Sequence, residues 1–201
     1  MESSESSLLH LLVPGSLVQG DWFTKKIPSN IEAGENTQLD SSHCFKNFFS
    51  KLPVGLKIGS NCTLFRTSIA TEENGMVEIG NDCYLANAAV VATEKISIGN
   101  RVFIAGGVTI VDSDFHPISP AARLADTIAL SPIGNYDKRP RISSKPVVVE
   151  DDVWIGFNAT LLKGIRVGAG AVIMPGSVVT QDVLPHTTVT GNPATQHNLT
   201  A

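Results

Sequence analysis

From Val149 to Leu184 the chain reads VEDDVWIGFNATLLKGIRVGAGAVIMPGSVVTQDVL, and an aliphatic side chain returns at every sixth position: Val149, Ile155, Leu161, Val167, Ile173, Val179. Four positions after each stand Val153, Ala159, Ile165, Ala171, Ser177 and Val183, all of a size that fits a narrow interior. A helix presents one face about every 3.6 residues and a strand every second residue, so a sustained period of six belongs to neither an amphipathic helix nor a hairpin sheet. A repeat this short cannot bury its own apolar residue and gains a core only when coils stack on one another. Each hexad makes one short flat side. Three sides close a triangular coil, with the aliphatic residue inward, a small one where the corner narrows, and Gly, Asn or Asp in the turn.

The same phase extends back along the chain. Ile-Gly pairs recur at Ile58-Gly59, Ile79-Gly80, Ile98-Gly99 and Ile155-Gly156, and the aliphatic positions are Ile58, Leu64; Ile79, Leu85, Val91; and Ile98, Ile104, Ile110. Cys62, Ser68, Cys83, Ala89, Val102 and Val108 take the small positions. A fainter rhythm begins near Ile27 and keeps Ala33, Leu39 and Phe45 in step. Lys95 and Asp114 break the interior rule and are expected to mark loop exits.

Composition sets bounds. The chain has 201 residues, 42% apolar and 17% charged, which suits one globular domain. A net charge of −4 gives no general reason to bind nucleic acid or an anionic membrane, so an anionic ligand needs a local basic cluster. Three cysteines do not make a disulfide framework, and Cys62 and Cys83 read as reduced core filler. Residues 1–7 are polar and acidic and are expected to be disordered. Leu8 to Val18 is expected to form a turn or two of helix, broken at Pro14-Gly15, that caps one end of the core. The first lysine is Lys25 and the apolar run is short, which fits neither a signal peptide nor a membrane span and makes the cytoplasm the expected location. The plan is a tail and cap over 1–26, a solenoid over 27–194 carrying an inserted loop 112–146, and a tail over 195–201.

Over roughly residues 31–194 the sequence resembles the hexapeptide-repeat acyltransferases. The resemblance implies an all-β fold, a left-handed parallel β-helix, and assembly as a homotrimer. The hand comes from the family, because the general crossover rule favours the right hand.

Between Ile110 and Val149 the rhythm stops, in an excursion with Pro117, Pro120, Pro132, Pro140 and Pro146. Long interruptions of this kind in compact domains are more often functional than idle. The segment IGNRVFIAGGVTIVDSDFHP (98–117), followed by VVVEDDVWIG (147–156), resembles the galactoside, maltose and xenobiotic O-acetyltransferases. That resemblance makes His116 the catalytic base, and an imidazole suits the task of taking a hydroxyl proton near neutral pH. It makes Asn87 the residue that binds acceptor hydroxyls, the alternative being a turn asparagine. Asp112 and Asp114 either orient His116 and attract the acceptor or cap backbone N–H groups.

The family binds CoA in a groove between adjacent solenoids. The resemblance places Ala105, Gly156, Pro175 and Thr180 along it, with the phosphates met by Lys138, Arg139, Arg141 and Lys145 or by Lys163 and Arg166. After Gly191-Asn192-Pro193-Ala194 the chain has Thr195-Gln196-His197 where relatives commonly carry basic residues. Trp154 should face outward, beside the groove or at a subunit contact, and Phe115 and Tyr136 should shape the acceptor pocket. The implied activity is CoA-dependent O-acetylation of a sugar or related small acceptor, with acetyl-CoA as co-substrate and no metal. Alternatives are N-acetylation of an amino or nucleotide sugar, a zinc-dependent carbonic anhydrase, and a non-catalytic solenoid.

Overall fold

The hexads fold into short strands stacked in three sheets of nine, six and five strands. The structure is a computed structural model that describes residues 9–197; the expected disordered end, 1–7, lies outside them. Successive coils pair in parallel and in register. In the first sheet Leu39, Leu64, Leu85, Ile104, Ile155, Ile173 and Val189 stack on one another. All are buried. In the second sheet Ile58, Ile79, Ile98, Val149 and Val167 form the corresponding column. Each such side chain removed from water contributes about 1.5–3 kcal/mol.

The Ile-Gly pairs have a steric reason. A Cβ on Gly59, Gly80 or Gly99 would lie 2.4, 2.6 or 2.4 Å from atoms of the next coil. The same corner carries a ladder of side chains: Ser60, Asn81 and Asn100 each donate a backbone N–H to the Oδ1 of the residue above, Asn81, Asn100 and Asp151, at 2.8–2.9 Å. Corner amides that no strand could pair are satisfied in this way.

Two early coils depart from the period of six. In the third sheet the inward column is Ile69, Val90, Ile110, Leu161 and Val179. Leu64 to Ile69 and Leu85 to Val90 are therefore steps of five, and Thr67 and Ala88 take the small inward positions assigned above to Ser68 and Ala89. Val91 is only partly buried. The corner there is one residue shorter, turned by Arg66 and Asn87 at φ 50 and 48°, whereas the later coils use Gly106-Gly107 and Phe157-Asn158. A slip of one residue exchanges the two faces of a strand.

The cap is not helical. His10–Leu11 forms a strand antiparallel to Gln38–Leu39, and Leu12 and Ile27 are buried over the open end of the core. A first coil has an unpaired edge, and a strand satisfies its backbone where a helix would not. At the other end Ala194–Gln196 folds back antiparallel on Thr188–Gly191. Lys95 is no loop exit either: it opens the strand Lys95–Ile98, and its ammonium meets Glu78 at 2.8 Å. Among the described residues no helix is long and apolar enough to cross a membrane.

Candidate active site

The excursion leaves the third sheet after the strand Thr109–Val111. Asp112, fully buried, accepts backbone N–H bonds from Thr93, Glu94 and Lys95 at 2.7–2.8 Å. Burial pushes its carboxyl up, and the three donors oppose that rise. Asp112 thus anchors the root of the loop to the coil below. A bridge between Ser113 and Ser144, with Lys145 N–H bonded to Asp112 C=O at 2.8 Å, closes the neck. Asp114 pairs with Lys163, whose ammonium also donates to Ser143 Oγ at 2.9 Å. Neither aspartate touches His116 through its side chain.

The partner of His116 lies further on. Ser119 caps and Pro120 opens a ten-residue helix, α1 (Pro120–Ala129). The excursion is therefore partly helical. α1 turns Asp126 inward to 1% exposure, with its Oδ2 2.6 Å from His116 Nδ1. Arg139 Nε donates to the other oxygen at 2.8 Å, and its guanidinium also reaches Tyr136 Oη at 2.9 Å, Glu72 at 3.4 Å and Phe115 C=O at 3.2 Å. Tyr136 donates to Glu72 at 2.5 Å. The Arg139 guanidinium, with help from His116, holds the Asp126 carboxyl below its usual range against the opposing effect of burial. An ionised carboxylate at Nδ1 selects the tautomer with its proton there. Nε2 is left as the basic nitrogen on a ring that is 57% exposed.

Asp126 was not singled out in the sequence. The available signal was a Ser-Pro helix start followed by one acid in a mostly apolar helical run. Glu72 had no signal, since it joins the network from an earlier coil.

The remaining expected residues fall in separate places. Phe115 and Tyr136 line one cavity of about 310 Å³ with Glu72, Thr93 and Arg139. Asn87 turns the corner into the strand Ala89–Ala92, whereas His116 lies past the far end of the adjoining strand, so the two occupy opposite edges of the third sheet of one chain. Ala105, Gly156 and Pro175 share one corner, and a Cβ on Gly156 would lie 2.7 Å from Pro175. Thr180 is exposed at the end of the next strand. Trp154, 41% exposed, stands on the outer face of the first sheet in register with Phe103, which stacks on Tyr84 at 5.1 Å.

Of the cations expected for phosphate, Arg139 is committed to Asp126, Lys163 to Asp114, and Arg166 to Glu150 at 2.5 Å. Lys138, Arg141 and Lys145 form no ion pair among the described residues. No group of three His, Cys, Asp or Glu among the described residues could hold a metal ion.

Residues 146–181 match the bacterial transferase hexapeptide (six repeats) family. The galactoside O-acetyltransferase of Lactococcus lactis is 32% identical over 138 residues, covering 68% of this chain and 59% of that protein. Residues 146–181 of this chain are thus hexapeptide repeats of the bacterial transferase type. A 2,3,4,5-tetrahydropyridine-2,6-dicarboxylate N-acetyltransferase of Staphylococcus aureus is 56% identical over 52 residues, 26% of this chain and 22% of that one. The matches thus span 59% and 22% of these curated relatives. Among solved structures, a hexapeptide-repeat acetyltransferase of Vibrio cholerae aligns with TM-score 0.53 at 27% identity, covering 77% of this chain and 76% of that one. The N-acyltransferase AntD of Bacillus cereus aligns with TM-score 0.62 at 18% identity, covering 84% and 82%, a likeness of fold alone. The hexapeptide-repeat solenoid is accordingly a left-handed parallel β-helix, as the resemblance implied.

Proposed function

We propose that this hexapeptide-repeat chain is an acetyl-CoA-dependent O-acetyltransferase acting on a hydroxyl of a sugar or related small acceptor. The observation that carries the reading is the 2.6 Å contact between His116 Nδ1 and buried Asp126, which frees Nε2 as a base at an exposed edge of the solenoid. Nε2 takes the acceptor hydroxyl proton as that oxygen attacks the thioester carbonyl. The C–S bond then breaks, the CoA sulfur leaves with the proton returned by the imidazolium, and the acceptor carries an O-acetyl ester. No acyl-enzyme is required. A base so placed is typically worth about 10²–10⁴-fold.

Asn87 is the proposed acceptor ligand. Because it stands across the third sheet from His116 of its own chain, it meets that base in a site shared between copies, as in the homotrimer the family implies. Ala105, Gly156 and Pro175 offer the small-residue wall for the pantetheine, and Lys138, Arg141 and Lys145 the free charge for the CoA phosphates.

A second reading has its own observation, the 56% local identity to an N-acetyltransferase. The same imidazole would take the proton from an amine. Release of CoA thiol from acetyl-CoA, measured against matched hydroxyl and amino sugars, separates the two. Turnover with the hydroxyl sugars, giving an alkali-labile product, is expected; turnover confined to amines would reject the O-acetyl reading.

A further inference from the structure

One member of the polar network around His116 belongs to the regular part of the molecule. Glu72 directly follows Ser68–Thr71, the outermost strand of the third sheet. Its backbone is pinned on both sides: the N–H donates to Ala92 C=O of the next coil at 2.9 Å, and the C=O accepts from Gly75 N–H at 2.9 Å. A side chain carried by a packed coil is placed more precisely than one carried by a loop. Its carboxylate reaches into the excursion with both oxygens, one accepting from Tyr136 Oη at 2.5 Å and the other from Arg139 Nη1 at 3.4 Å.

Those two contacts decide how Arg139 is turned. An arginine has many rotamers to lose, and its fork of five donors can meet a carboxylate with Nε or with either Nη. Because Tyr136 gives its proton to Glu72, its oxygen lone pairs face Arg139 and accept from Nη1 at 2.9 Å. The Tyr136 ring also packs on the guanidinium at 5.0 Å. With the Nη1 edge fixed in this way, Nε is left to face Asp126, at 2.8 Å, and Nη2 to face Phe115 C=O, at 3.2 Å. Arg139 therefore holds His116 at two points. Through Asp126 it holds the ring, and through Phe115 C=O it holds the backbone just before it. That backbone is strained: Phe115 stands at φ 58°, and His116 N–H closes a three-residue turn on Asp114 C=O at 2.6 Å. Such a turn at a non-glycine residue is rare and persists where its surroundings hold it.

We propose that Glu72 is a positioning residue for the His116 base: it orients Arg139, which in turn fixes both the ring and the backbone of His116. The assignment rests on the acetyl-transfer reading above and adds to it a residue of the solenoid that touches no reacting atom. Long-range proton–nitrogen NMR of the His116 ring at about pH 9, where an imidazole is neutral, tests the geometry without acetyl-CoA or acceptor. Wild type should show one tautomer, with the proton on Nδ1. Glu72→Ala should show a mixture with the Nε2–H form. Glu72→Gln, which keeps an acceptor for Tyr136 but removes the charge facing Arg139, should show a smaller admixture. In assays of CoA release Glu72→Ala should lower kcat by about 10–10²-fold with the KM for acetyl-CoA unchanged. Added to Arg139→Ala it should cost almost nothing more, because the two residues act along one path. A single Nδ1–H tautomer in folded Glu72→Ala and Glu72→Gln would overturn the proposal, as would a full additional loss of kcat in the Arg139→Ala background. Mixed tautomers in Glu72→Ala, beside a wild type that transfers no acetyl group, would reject the enzymatic reading and leave the positioning of His116 by Glu72 assigned.

Discussion

Residues 149–184 and residues 112–146 are neighbours in sequence and opposites in construction. In the first, every inward side chain stacks on its equivalent one coil away, at Val149, Ile155 and Leu161 as at Val167, Ile173 and Val179. In the second, a polar network replaces the column: buried Asp126 is held between His116 and Arg139, with Glu72 and Tyr136 behind. Stacked aliphatics give stability with no directed chemistry, since any well-packed hydrophobe of similar size serves. The network is directional. Each member fixes the atom that another must present.

That contrast predicts different penalties in the two regions. Leu161→Ala removes a fully buried column residue and should cost about 2–5 kcal/mol in chemical denaturation, while leaving the activity of the remaining folded protein nearly intact. Asp126→Ala leaves the Arg139 charge without its inner partner. It should cost about 3 kcal/mol, near the lower end for a broken buried pair because Arg139 stays 13% exposed, and it should also lower kcat. Equal effects of the two changes on activity would erase the distinction between the regions.

The same carboxylate has a pH signature. Its folded pKa is depressed by Arg139 and His116, so its contribution is fully present above the unfolded value and fades as pH falls through the folded one. The stability difference between wild type and Asp126→Asn should shrink as pH falls below about 4, read from thermal unfolding. Within the regular stretch, Ser177 Oγ is buried without a hydrogen-bond partner among the described residues. Ser177→Ala should raise stability by about 1 kcal/mol, since the lost hydroxyl carries an unmet desolvation penalty. Smallest of all, Arg166→Ala removes a pair with a 60% exposed cation and should change stability by less than about 1 kcal/mol.

How much could be read from the residues follows from the same contrast. The solenoid was legible because each coil repeats its neighbour, so one period specifies all three sides. Even the Ile-Gly pairs had a single steric cause. The step of five at Leu64–Ile69 and Leu85–Val90 was not legible, because Ser68 and Ala89 suit an inward corner as well as Thr67 and Ala88 do. At the site, His116 stood out by resemblance, but its partner did not. Asp112 and Asp114 are nearer in sequence and equally acidic, and only the fold shows one bound to three amides and the other to Lys163. The cap failed for a related reason: His10–Leu11 extends because of the open sheet edge it covers, which no local pattern encodes.

The central claim is that the irregular region carries the chemistry, through His116 positioned by Asp126. Its most direct test is the steady-state rate of CoA release from acetyl-CoA, with a hydroxyl sugar that the wild type accepts, for wild type, His116→Ala and Asp126→Asn. The His116 ring is 57% exposed, but its loss leaves one oxygen of buried Asp126 without its partner and should cost about 1–3 kcal/mol, so rates are compared at a temperature where every variant is folded. The account predicts a fall in kcat of about 10²–10⁴-fold for His116→Ala and a smaller fall for Asp126→Asn. Undiminished turnover in folded His116→Ala would contradict it.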